Sequence, residues 1–189
     1  MTSDAGALFL REVDRRTGIV DRVVGALREW RDPRYVVHEL GDLVRQRIFQ
    51  IALGYEDADD ADMLRTDPAL KAACERLPIS GEDLASQPTL SRFENAVCVR
   101  SLFRLQDVLI DQFIASFDSP PGRLTLDIDT FDDPAHGQQQ LVLFHGHYGQ
   151  YQYQPRVITC AENDMVVMPC LLYGSAKASL GAADDVAYL

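Results

Sequence analysis

Ser119-Pro-Pro-Gly122 divides the chain into two kinds of pattern, and that division constrains the fold more than any other feature. Proline lacks an amide donor and glycine lacks a Cβ, so helix and strand both stop at such a run. Before it, apolar residues recur with the three-to-four spacing of an amphipathic helix; beyond it they alternate. Helices followed by strands predict an α+β fold, with a helical region over residues 1–118 and a β region over residues 123–189.

Within the first region, Ser3 or Asp4 is placed to cap a helix running to Arg16, and Gly18 breaks it. A second helix is predicted over Ile19–Trp30. Asp32-Pro33 starts a turn, and Val37, Leu40, Leu43, Val44, Ile48 and Ile51 stripe a long helix over Val36–Leu53. Asp67-Pro68 reads as an N-cap followed by proline, residues 77–88 as a loop, Thr89–Asn95 as a helical turn, and Arg100–Phe117 as a strong amphipathic helix. The second region predicts strands at Arg123–Asp129, Gln140–Phe144, Tyr151–Tyr153, Arg156–Ala161 and Met165–Leu172. The stretch from Ser179 to Leu189 begins like a helix without completing one, so the β region reads as incomplete.

The net charge of −11 counts against indiscriminate nucleic-acid binding, which depends on neutralising phosphates. After residue 121 the basic side chains are Arg123, Arg156 and Lys177 alone, so any nucleic-acid contact falls to the helical region or to something outside these residues. No apolar run approaches the ~20 residues of a membrane-spanning helix. Together with an N-terminus that lacks a basic cluster, this predicts a cytoplasmic protein with no membrane partner. Cys74, Cys98, Cys160 and Cys170 form no Cys-x-x-Cys pair, so buried free thiols are expected rather than zinc.

The chemistry-bearing stretch is Thr125-Leu-Asp127-Ile-Asp129-Thr-Phe-Asp-Asp133. On a strand, Asp127 and Asp129 leave the same face, and Leu124, Leu126 and Ile128 the other. Paired carboxylates suit a hard divalent cation; solvated acids on an edge strand are the plainer alternative. His136 is expected to be a turn residue. His145 and His147 share a face, without an obvious third ligand. Glu56–Asp62 lacks the glycine and glutamate of a calcium loop and reads as an acidic helix start. Ser91 and Arg92, near a helix start at Gln87-Pro88-Thr89, could meet a phosphate, although a plain capped helix reads equally well.

Several segments together resemble one family, the DDE transposases of bacterial insertion sequences, in the branch grouped as DDE domain group 1. They are Met1-Thr-Ser-Asp-Ala-Gly-Ala-Leu8 with Leu10-Arg-Glu12; Arg45-Gln-Arg47 with Ile51–Asp57; Ala85–Asn95; Leu126–Asp129 with Asp132–Gln138; and Gly174–Gly181. The resemblance implies a ribonuclease-H-like catalytic domain with a mixed or antiparallel sheet, beginning at residue 123. It also implies an Asp-Asp-Glu triad on two Mg2+ ions, and DNA strand cleavage and strand transfer at terminal inverted repeats. The first triad acid falls in Leu126–Asp129: Asp129, which Thr130 follows, with Asp127 as the alternative. Both are the expected catalytic and metal-binding residues. Arg45, Arg47 and Arg92 are the expected DNA-binding residues, and a homo-oligomer is a further expected partner state. The family's later triad acids belong to strands and helices beyond residue 189, so the chain is expected to be a truncated N-terminal piece, inactive alone. Two rivals stand beside this reading. One is a non-catalytic DNA-end-binding or regulatory fragment. The other is a complete metal-dependent phosphoesterase, which needs a further acid that Glu162 and Asp164 scarcely supply.

Overall fold

The computed structural model describes residues 2, 4–137 and 139–189, and it is α+β, helices first and an antiparallel sheet second. The alternative cap Ser3 lies outside the described residues. The chain forms two compact units, Met1–Val108 and Leu109–Leu189.

In the helical unit, α1 (Ala7–Thr17) ends at Gly18, whose φ of 65° closes the helix in the left-handed conformation that glycine adopts without strain. The first helix starts at Gly6 without a side-chain cap; the Asp4 carboxylate instead accepts the Tyr55 hydroxyl at 3.1 Å. Next comes α2 (Ile19–Ala26), four residues shorter than the periodicity predicts, because Leu27 turns extended. The Asp32 side chain accepts from Arg34 N and turns Pro33–Tyr35 into a single 3₁₀ turn. Val36 is then extended, so α3 (Leu40–Ala52) starts four residues later than its apolar stripe suggests. Val37, counted in that stripe, is 83% exposed.

The short α4 (Ala61–Leu64) follows a 3₁₀ turn capped by Asp57. Asp67 caps α5 (Pro68–Ala73) by accepting from Ala69 N and Leu70 N, both at 2.9 Å. After α6 (Gln87–Asn95) comes α7 (Val99–Ile114), which runs across the boundary between the units. Two apolar clusters hold the helical unit. Ala7, Phe49, Leu64, Leu70 and Leu84 form one; Leu43, Ala61, Ala85 and Leu90 form the other. Gln46 joins them, its buried amide bonding both backbone groups of Ala85 at 2.8 and 2.9 Å. Buried polar groups of this kind must be satisfied, and one side chain here satisfies two.

The sheet unit is built around one strand. β1 (Leu126–Thr130), β2 (Asp133–Pro134) and β3 (Leu143–His145) all pair antiparallel with β4 (Gln150–Cys160), as does β5 (Met165–Leu172). The two strands expected over 151–153 and 156–161 are therefore one, continuous through Pro155. β2 carries on the pairing frame of β1, since Thr130 faces Arg156 and Asp133 faces Tyr153. Even-numbered residues of β4 from Gln152 to Cys160 are buried, and odd-numbered ones are not. Ile158 and Cys160 pack with Met168, Val167 and Phe113, and Leu126 lies against them. Gly174 is required where the chain returns, because a Cβ there would collide with the carbonyl oxygens of Gln152 and Leu143. The last helix, α8 (Ala182–Tyr188), buries no side chain. Its attachment is polar: the buried Arg156 guanidinium donates to the carbonyls of Ala178 and Leu180 and to the Asp185 carboxylate.

Candidate functional site

The regular antiparallel register sets the direction of the β1 carboxylates. Asp127 lies opposite Thr159 and Asp129 opposite Val157, two odd positions of β4. Cross-strand partners share a face, so both acids project from the side away from Ile158 and Cys160. Of the apolar residues on the other side, Leu126 reaches the core and Ile128 stays 41% exposed. Both aspartates are exposed. Asp129 Oδ1 accepts from Thr130 N at 2.8 Å, a bond within its own strand. The donor chemistry fits a hard divalent cation. The donor number covers only part of its coordination: among the described residues, no group of three or more His, Cys, Asp or Glu side chains is placed to hold a metal.

Glu162 and Asp132, two other acids of this unit, are engaged locally. Glu162 accepts Thr125 N on both oxygens at 3.0 Å and the Cys160 thiol at 3.1 Å. The Thr125 amide, foremost, draws its pKa down to about 2. It fastens the β4–β5 turn to the entry of β1. Asp132 accepts from Gln150 Nε2 at 3.0 Å. Asp164 sits in the same turn with a φ of 55°. His145 and His147 have ring centroids 6.4 Å apart, each edging Tyr148 within about 5 Å, an aromatic cluster at the hairpin. His136 is exposed.

In the helical unit the three predicted arginines part company. Arg45 lies 3.6 Å from Asp14, which is itself buried and accepts from Val20 N. Arg47 is drawn in by Glu94 at 2.5 Å and by the carbonyls of Tyr55 and Glu56. Arg92 is exposed and donates to the Thr89 hydroxyl at 3.3 Å on the same helix. It lines a groove of about 560 Å³ formed by residues 27–43 together with 89–101. Arg28, Trp30 and Tyr35 line the same groove. Sequence reading missed these three. The signal was there: a lone tryptophan between two arginines, just before Asp32-Pro33, where a helix cannot continue. Cys98 also opens on the groove. It is exposed rather than buried, and its thiol pKa is lowered by the Ser101 hydroxyl and amide. By contrast, burial pushes the Cys74 thiol up to about 12.

Comparison with known families returns one match, described as transposase DDE domain group 1, over residues 1–187. The chain belongs to that family. No curated protein and no solved structure matches it. The family match spans both units. Membership gives the chain a role in transposition, on DNA, in a family that generally uses a divalent metal. No helix among the described residues is long and apolar enough to cross a membrane.

Proposed function

We propose that this transposase domain supplies the first carboxylates of a ribonuclease-H-like centre for DNA strand cleavage and strand transfer. Asp129 is the triad acid and Asp127 its neighbour. The observation that carries the reading is their common direction from β1, clear of the packed face of the sheet. A rigid strand holds such ligands within tighter tolerances than a loop does. Asp127 and Asp129 would hold Mg2+, which, when bound, stabilises charge on phosphoryl oxygens and activates the attacking oxygen. The chain's own part is to fix ligand direction, through the unbroken pairing of β1 with β4. Two carboxylates supply only part of the ligand set of a two-metal centre.

Titration with Mn2+ tests the reading. Paramagnetic broadening of NMR signals should centre on β1 and the facing residues Val157 and Thr159, and vanish in Asp129→Asn. Broadening centred anywhere else would sink the assignment. Any strand cleavage by the chain should be lost in Asp129→Ala; cleavage that survives the substitution would contradict the assignment.

A second reading, DNA-end binding without catalysis, is favoured by the exposure of Arg92 on the groove. Of the proposed set Arg45, Arg47 and Arg92, Arg92 would meet phosphate directly. Arg45 and Arg47, each already held by an acid, would act by fixing the helices that present it. The expected signature is salt-dependent binding to the element's terminal inverted repeats.

A further inference from the structure

The groove of the helical unit has three properties together. It is concave and of ligand size, about 560 Å³. It presents aromatic surface to solvent: Trp30 is 56% exposed and Tyr35 79%. Its charge is uneven in a way that favours an anion. Its two acids are already neutralised, Glu29 by Arg31 at 2.5 Å and Asp32 by Arg34 at 2.6 Å. Arg28 and Arg92 make no ion pair among the described residues.

We propose that this groove binds an unpaired stretch of DNA, with a base stacked on Trp30 and the flanking phosphates on Arg28 and Arg92. Duplex DNA offers side chains the edges of its bases, whereas an unpaired strand offers their faces, which exposed aromatic rings take up. A groove volume of about 560 Å³ suits a base or two. The Thr89 and Ser101 hydroxyls line it and can meet base edges. The proposal rests on the DNA-binding reading above and adds to it the strand state and the residues.

Trp30 is the only tryptophan in the chain, so its fluorescence reports on the groove alone. The probe is an oligothymidylate of about 12 nucleotides, within the span of a single-strand site. Its addition should quench Trp30, and affinity should fall with rising salt. Binding followed by anisotropy of a labelled oligothymidylate should weaken about tenfold in Trp30→Ala and recover in part in Trp30→Phe. Arg28→Gln and Arg92→Gln should each weaken it and flatten the salt dependence. Circular dichroism of each variant confirms that the helices stand. Equal quenching by inorganic polyphosphate would overturn the stacking, since it carries charge without bases. Trp30 emission that shifts with protein concentration alone would assign the groove to a second copy of the chain instead. Duplex binding with Trp30 unchanged would leave the DNA-binding reading in place and remove this proposal; no binding of either form would remove both.

Discussion

The two units use their charged and polar side chains in opposite ways. The helical unit has 15 Lys and Arg against 19 Asp and Glu, and many of them hold chain to chain. Asp14 ties Val20 and Arg45, Asp42 takes Arg76 at 3.0 Å, and Lys71 is buried on the Gly81 carbonyl at 2.7 Å. The sheet unit has 3 basic residues against 10 acidic. Its one buried cation, Arg156, holds the C-terminal helix, while Asp127 and Asp129 lie open on β1. An acid spent on an internal arginine is unavailable to a ligand. The contrast is what the two proposed sites rest on: β1 in the sheet unit, and the Arg28–Arg92 groove in the helical one.

Substitutions that remove a buried polar group from each unit test the contrast most severely. Arg156→Ala strands two carbonyls and the Asp185 carboxylate, and should cost about 3 kcal/mol in urea unfolding. It should also release amide-exchange protection in α8. Loss of stability without that release would show that α8 is held by something other than Arg156. Gln46→Ala should cost about 2 kcal/mol, because both backbone groups of Ala85 lose their buried partner. A negligible cost would mean that water replaces the amide, and that the helical unit does not depend on this internal polar bond.

Acid should separate the units next. The folded pKa of Glu162 is lowered to about 2 from 4.5, so its contribution is complete above pH 4.5 and is lost as pH falls toward 2. Glu162→Gln should flatten the acid dependence of sheet-unit stability in that window and leave the helical unit's unchanged. The smallest stability effect is expected at the proposed ligands. Asp127→Asn with Asp129→Asn should shift unfolding by no more than about 0.5 kcal/mol, since both are exposed and neither ties distant segments. A larger loss would make them structural acids, and the contrast would fail where it matters most.

Much of the backbone was legible in the residues because its causes are local. Gly18 ends one helix and begins another through its own dihedral angles, and Asp67-Pro68 caps α5 with atoms two and three residues away. The shared face of Asp127 and Asp129 follows from strand periodicity, as expected. Misreadings arose where local pattern met distant competition. The stripe of α3 included Val37, yet the Asp32-capped turn had already directed the chain elsewhere. The pattern predicts two strands, Tyr151–Tyr153 and Arg156–Ala161, but β4 is continuous because β1, β2, β3 and β5 all pair along its length.

Sequence by itself therefore determined the order of helices and sheet, the caps and breaks, the common side of the β1 carboxylates and, by resemblance, the family. Those follow from side-chain periods, backbone dihedrals and short-range hydrogen bonds. Only tertiary structure decided which arginines are occupied and which are open. Arg47 meets Glu94 from 47 positions away and Arg45 meets Asp14, while Arg28 and Arg92, far apart in the chain, come to line one groove with Trp30. Such pairings depend on how helices pack, and no local rule encodes them.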